Sequence, residues 1–355
     1  MKDISFLFVP AVASVDDGEY GWMYEGIARL TVIESQHRAG NADDAQTVQE
    51  LVADRADETQ AKAHWIIAQH GTTPSPEAVV GFAMIVLFTT YDREKARLWF
   101  CVHPDYRGQG IGSALLEQFE TISRADGRMI LLSPVLFGPA EDTDAPQIGF
   151  FTKRGYVIDL VDRGSVLALP LDEVRVAELM ASVEGHNDGY RLHTWISTIP
   201  EQWMESFARL QEAFIRDLPR GDVNWDEEVW DRERVERRIA RLHACGMASA
   251  LTVAEEIASG TLVGYTELRW TPSASNLAAD QYVTIVLNQH RGHRLGLWLK
   301  LVNLAAAQEV CPSLARIHTF NATINEPMLA VNVAMGFQGA GGCAQMAKVV
   351  ASDPG

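Results

Sequence analysis

Residues 97–116 read RLWFCVHPDYRGQGIGSALL, and residues 281–300 read QYVTIVLNQHRGHRLGLWLK. Each runs as an alternating apolar strand, a polar turn, Arg-Gly, a short loop and an apolar helix. Arg107 and Arg291 stand 184 residues apart. Upstream, Val80-Gly81-Phe82 recurs as Val263-Gly264-Tyr265, an offset of 183. Downstream, FFTKRGY at 150–156 corresponds to VNVAMGF at 331–337, an offset of 181. Three matches in one order at nearly one spacing indicate a duplicated domain, and a domain-sized period excludes a solenoid.

Hydrophobic periodicity gives each copy an α+β character, with a central sheet flanked by helices. The first copy predicts strands at 4–10, 65–69, 79–87, 97–102 and 129–134. Its helices are expected at 20–38, 45–63 and 110–125, with a further helix ending at Gly155. The second copy predicts strands at 191–196, 248–254, 262–270, 281–287 and 315–320. Its helices are expected at 201–217, 226–243, 294–309 and 326–335, with Asn325 as an N-cap and Pro327 in the first turn. The division expected is 1–170, a linker at 171–189 with a helical pattern, and 190–355.

A chain of 355 residues exceeds the size at which single cores stop growing, about 250–300 residues, in agreement with two domains. Its 30 basic and 47 acidic residues give a net charge of −17. Such a surface repels phosphate backbones, which argues against nucleic acid as a partner, and attracts small cations. No apolar run is long enough to span a membrane, and the start reads as a first strand, not a signal peptide. Four cysteines far apart in sequence fit reduced thiols in a cytoplasm.

The segment Arg107-Gly108-Gln109-Gly110-Ile111-Gly112 joins a strand to a helix. Glycines allow backbone N–H groups close to a ligand, and a helix N-terminus directs those donors at an anion such as a pyrophosphate. Ser113 stands where a dinucleotide fingerprint needs its third glycine, and no Gly-Lys-Ser/Thr follows, so neither a Rossmann nor a Walker loop is present. The run Val102-x-Pro104-x-Tyr106-Arg107-Gly108-Gln109-Gly110-Ile111-Gly112 resembles the acyl-CoA-binding motif of the GCN5-related N-acetyltransferase (GNAT) family. His290-Arg291-Gly292-His293-Arg294-Leu295-Gly296 resembles it in the second copy, and Gly155-Tyr156 and Gly336-Phe337 resemble the family's closing Gly-Phe. The tandem arrangement is similar to that of mycothiol synthase-type GNAT proteins.

The resemblance implies two GNAT-like domains, each with a mixed central sheet splayed between two central strands and coenzyme A wedged in the splay. It implies cofactor contacts from Val102, Arg107, Gly108, Gln109, Gly110, Ile111 and Gly112. In the second copy the corresponding contacts are Val286, Arg291, Gly292, His293, Arg294, Leu295, Gly296 and Asn325. Arg294 departs from the motif, standing where the first copy has Gly110.

Acyl transfer to an amine needs a base, because free amines of pKa about 10 are mostly charged at neutral pH. The family's carboxylate position falls on Ala96 in copy one, near Glu94, and on Asp280 in copy two. Glu267, mid-strand beside Tyr265, is the second candidate for catalysis. The family's tyrosine acid falls on Phe151 and Asn332, neither of which can serve, leaving Tyr265, Tyr282 or unassisted departure of the thiolate. Cys101 lacks a visible base, and the pairs His290/His293 and His243/Cys245 are too few for zinc, so no metal is expected. Trp195, Trp203, Trp225 and Trp230 fall in or near the helices that in this family form the acceptor wall, although aromatic helix faces also build cores. Two functions follow from the resemblance. One is an acetyl-CoA-dependent N-acetyltransferase acting directly on a primary amine of a small polar, cationic metabolite. The other is an acyl-CoA-binding module or sensor with one or both copies inactive.

Overall fold

The computed structural model describes residues 3–10, 14–53, 59–217, 221–272 and 278–350. Two compact units divide the chain. One comprises Met1–Val161, Gly221–Asp226 and Cys343–Gly355, and the other Asp162–Arg220 and Glu227–Gly342.

The first unit contains β1 (Ile4–Pro10), α1 (Trp22–Ala39), α2 (Val48–Ala53), β2 (Ala61–His70), β3 (Val79–Phe88), β4 (Lys95–Val102), α3 (Ile111–Ala125), β5 (Ile130–Phe137), α4 (Pro146–Thr152) and the start of β6 (Val157–Ala168). The sheet runs β1-β2-β3-β4-β5, antiparallel except for the parallel pair β4 and β5. Helix α3 is amphipathic, and its buried Ile111, Leu115, Leu116 and Phe119 join Leu98, Leu131, Ile148 and Phe151 in one core. Each such side chain contributes about 1.5–3 kcal/mol by leaving water. The opposite sheet face is covered by α1, through Met23, Tyr24, Ile27 and Leu30 against Trp65, Ile67 and Phe82.

The second unit repeats this plan with α5 (Glu173–Val183), β7 (Tyr190–Ile196), α6 (Met204–Asp217), α7 (Arg232–Ala244), β8 (Ala248–Glu256), β9 (Thr261–Trp270), β10 (Ala278–Val286), α8 (Leu295–Val310), β11 (Arg316–Ala322), α9 (Glu326–Met335) and the start of β12 (Gln338–Val349). Helix α8 packs Leu297, Leu301 and Leu304 on one sheet face, and α6 packs Phe207 and Leu210 on the other with Leu251, Val253 and Tyr265.

The units are not the contiguous halves expected from the repeat. Residues 162–168 of β6 pair antiparallel with β11 inside the second unit. From Cys343 the last strand lies beside β5 in the first, and the Val350 N–H donates to the Met129 carbonyl at 2.8 Å. A sheet edge needs a partner, and the repeat spacing carries no record of which copy supplies it. Gly221–Asp226 also belongs to the first unit. There the Val223 N–H donates to Asp159 at 2.9 Å, and Asp92 and Asp226 exchange backbone-to-carboxylate bonds of 2.7 and 2.9 Å. The expected linker holds α5, N-capped by Asp172, with Val183 buried in the second core.

Two helix expectations differ from the structure. The helix expected at 45–63 is present at Val48–Ala53; residues 54–58 lie outside the described residues, and Ala61–Ala63 already pair with β3. The helix expected from 226 starts at Arg232, because the Asp231 side chain accepts from the Arg234 N–H at 2.8 Å as an N-cap.

Candidate active site

The parallel ladder between β4 and β5 has three rungs, Lys95↔Ile130, Ala96↔Leu131 and Arg97↔Leu132, although both strands continue. In the second unit β10 and β11 pair at Ala278↔Arg316, Ala279↔Ile317 and Asp280↔His318, and the ladder again stops. Each sheet is thus split along the last five or more residues of its central strand.

Each split ends at an Arg-Gly loop with one local solution. The Nε of Arg107 donates to the Val102 carbonyl at 3.1 Å, and that of Arg291 to the Val286 carbonyl at 3.2 Å. Both arginines therefore fasten their loop to the strand end. Gly108 and Gly110 have φ of 76° and 87°, and a Cβ at Gly108 would meet nothing within 4 Å. Among the described residues, no backbone N–H from Gly108 to Ser113 has an acceptor, so these donors are available at the head of α3. The Gln109 side chain turns back to the Asp105 carbonyl at 3.4 Å. Ile111 anchors the helix in the core, and a Cβ on Gly112 would sit 3.5 Å from the Phe100 ring.

The second loop keeps the geometry with different residues. Gly292 has φ 87°, Leu295 is buried, and Gly296 lies beside Met328. The His293 ring packs on Tyr190 and bonds the His186 carbonyl at 3.2 Å, leaving its backbone N–H to the loop. Asn325 stands at the N-cap of α9, but its side chain makes no capping bond; its carbonyl receives the Met328 and Leu329 N–H groups instead. Arg294 adopts φ 53° where Gly110 has 87°. A side chain in the left-handed region costs about 1–2 kcal/mol, offset in part by the entropy a glycine loses on folding. Arg294→Gly is therefore expected to stabilise the second unit by up to about 1 kcal/mol, read from the urea midpoint. A lower midpoint would mean that an Arg294 contact outweighs the strain.

At the other end of the split, the copies diverge. Asp280 is exposed and forms the last rung before β10 separates from β11. It faces Arg269 on β9, and the register shifts between Gln281 and Val283. This bulge adds the one residue that moves the offset from 183 to 184. Arg97 faces Val86, and both stand 183 before Asp280 and Arg269, so the counterpart of Asp280 is Arg97 and not Ala96. The Arg97 guanidinium lies 5.6 Å from the Phe88 ring and 5.5 Å from that of Trp225. The Gln281 amide holds the bulge, donating to Thr266 Oγ1, the Glu267 carbonyl and the Val283 carbonyl at 2.9–3.1 Å.

Glu267 is 1% exposed, and its carboxylate accepts from Arg238 and, at 2.9 Å, from Arg269. The Arg269 guanidinium lies 3.4 Å from the centre of the exposed Tyr282 ring. Tyr265 is buried with its hydroxyl on the Gln211 amide, and burial pushes its phenol above the ordinary value. Burial also pushes the Cys101 thiol up to about 12, which removes the thiolate a covalent route requires. Trp195, Trp203 and Trp230 pack against the second core, whereas Trp225 belongs to the first unit. No group of residues among those described could hold a metal ion.

Residues 61–158 match the acetyltransferase (GNAT) domain family. The whole chain superposes on a tandem GNAT protein from the clavulanic acid biosynthesis pathway, at 23% identity and TM-score 0.76, covering 99% of this chain and 100% of that one. The chain has the tandem GNAT fold. It is also similar to a GCN5-related N-acetyltransferase from Sphaerobacter thermophilus, at 14% identity and TM-score 0.64, with 97% and 95% covered. A third likeness, at 13% identity and TM-score 0.60, is to the GCN5-related glucosamine N-acetyltransferase region of a fungal multi-domain GH3 β-N-acetylglucosaminidase, covering 97% of this chain and 38% of that one. No curated protein sequence matches. Among the described residues, no helix is long and apolar enough to cross a membrane.

The GNAT loops fit a pyrophosphate: open space over Gly108 and Gly292 and a row of unclaimed N–H groups would receive it. Sequence reading missed one group altogether. Lys300 of α8 is 2% exposed and donates to Asn332 Oδ1 at 2.8 Å; the Asn332 amide donates to Asn321 Oδ1 at 2.6 Å. Lys95 is also buried, but Asp92 and Glu94 outweigh desolvation and raise its pKa. Among the described residues Lys300 has no such carboxylate, and burial lowers it to about 7. The signal was present, since Lys300 and Asn303 interrupt an otherwise apolar run, LGLWLKLVNLAAA.

Proposed function

We propose that the chain is an acyltransferase that moves an acetyl group from acetyl-CoA to the primary amine of a small polar metabolite by direct attack, with the chemistry in the second unit. The supporting observation is the last rung of each split ladder. It carries the exposed carboxylate of Asp280 in the second unit and the stacked cation of Arg97 in the first. When bound, the thioester supplies an activated acyl carbon. Asp280 takes a proton from the incoming ammonium, through a water where the short side chain does not reach. Its charge also attracts that ammonium, in keeping with the acidic surface. Glu267 serves by holding Arg238 and Arg269 in place below the bulge. The N–H groups of Gly292 to Gly296 receive the pyrophosphate, and Arg291 keeps their loop on the strand end.

For the first unit one observation favours the binding-module reading. Arg97 with Phe88 and Trp225 covers the place where a base and an amine would meet, while the Arg107–Gly112 loop is intact. We assign it acyl-CoA binding without transfer. Incubating the protein with acetyl-CoA and a panel of primary amines, read as release of free thiol, tests both assignments. Amine-dependent release that survives Gly110→Asp is expected. Tight coenzyme binding with no amine-dependent release would make the whole chain a sensor.

A further inference from the structure

The amide chain that starts at Lys300 occupies a telling place. Asn332 stands where the resemblance puts the GNAT family's acidic tyrosine, four residues before Gly336. Asn321 lies on β11 beyond His318, in the stretch that has left β10 and pairs only with β6 among the described strands. Lys300 joins α8 to both, and Thr319, next along the same face of β11, lies 3.5 Å from Asn321. The first unit has none of this. By the offsets of the repeat and of the ladder rungs, Lys300, Asn332 and Asn321 correspond to Leu116, Phe151 and Val135, all buried and apolar. A lysine buried without a counter-charge weakens a core, so the copy that keeps one has a use for it.

We propose that Lys300, held by Asn332, receives the sulfur of coenzyme A in the second unit and gives it a proton as the bond to the acyl carbon breaks. This rests on the reading that the second unit takes the coenzyme. The amine nitrogen forms its bond to the acyl carbon, and the electron pair of the carbon–sulfur bond goes to sulfur. The proton moves from Lys300 Nζ to sulfur, leaving a neutral lysine that is recharged from solvent. The ammonium loses two protons in all: Asp280 takes the first before attack and passes it to solvent water, then takes the second as the amide forms. An ammonium group has three N–H donors, and Asn332 occupies one. Among the described residues, no titratable group opposes this role. The groups recorded against Lys300 are Asn332 and the Phe337 ring, 5.1 Å away, and burial is the one cause of its lowered pKa. An acid near 7 is matched to a thiol whose ordinary pKa is about 8.5.

The test needs no acceptor. In the full chain carrying Gly110→Asp, which leaves the second unit as the coenzyme site, the ultraviolet absorbance of bound coenzyme A thiolate is followed against pH. With Lys300 present, thiol and lysine titrate as a coupled pair, and thiolate is expected about tenfold more abundant near neutral pH than for a free thiol. In Lys300→Leu, the first unit's own residue, the thiol should titrate in one step at or above its ordinary value. Should that variant fail to fold, the unsubstituted Lys300 side chain is followed by NMR. Its pKa should rise on adding coenzyme A and stay put with the desulfo analogue. Identical thiol titrations, identical responses to the two ligands, or no binding in the second unit would overturn the proposal. A silent amine panel with the coupled titration intact would instead overturn the transfer reading and leave Lys300 as the sulfur's partner.

Discussion

Glu267→Gln is expected to lower the stability of the second unit by about 3–5 kcal/mol, the loss that follows when one partner of a buried ion pair is removed. Glu267 is 1% exposed, and Arg238 and Arg269 both donate to it with side chains only 15% and 16% exposed. The neutral amide keeps the shape but leaves two guanidinium groups facing one another without a counter-charge. For a unit of this size the midpoint should fall by on the order of 10 °C in a thermal scan. Glu267→Gln in combination with Arg238→Met and Arg269→Met should recover part of that loss, because the uncompensated charges go with it. An unchanged midpoint with turnover reduced a hundredfold would show that Glu267 works on the substrate and not on the two arginines.

How much of this was legible depended on which residues carried a repeat. Arg107 and Arg291 did, and the two guanidinium-to-carbonyl bonds explain why Arg-Gly recurs at that spacing. The split sheets followed from the GNAT resemblance and recur as three rungs in each unit. The counterpart of Asp280 was misplaced by one residue, because offsets taken from the loop count across the bulge near Tyr282, which only strand pairing reveals. Exchange of the closing strands was invisible for a related reason: β6 and β12 have similar places in the repeat, and only long-range pairing decides where each goes.

Glu267 and Lys300 show the limit from another side. Alternation placed Glu267 on the face of Tyr265, but whether that face meets solvent or guanidinium groups depends on Arg238 of α7, 29 residues away in sequence. Lys300 could be read as a misfit in an apolar helix, yet its partner Asn332 lies 32 residues on, at a place the sequence marks only as lacking the tyrosine. Charged groups inside a fold are defined by partners, and partners are the part of the structure that a single sequence does not order.

Asp280→Ala is expected to lower turnover by about 10²-fold or more, with little change in acetyl-CoA affinity. The position is the last rung before β10 and β11 separate, and its side chain is exposed at the mouth of that split. A base there acts on the amine and not on the coenzyme, whose proposed contacts lie at the Arg291–Gly296 end of the strand, where Arg291 bonds the Val286 carbonyl. The sign with pH follows from the amine. A primary amine of ordinary pKa about 10 is protonated at neutral pH, so the base is needed most there. As pH rises toward that value the amine arrives already neutral, and the variant's deficit should shrink by about tenfold per unit until the two profiles meet. Asp280→Glu, which restores the carboxylate with one more methylene, should recover most of the rate. Arg97→Ala removes the corresponding cation of the first unit and should leave the rate unaltered. A deficit in Asp280→Ala that stays constant with pH would remove Asp280 from proton transfer and leave it a role in attracting the ammonium. Loss of rate in Arg97→Ala with none in Asp280→Ala would place the chemistry in the first unit.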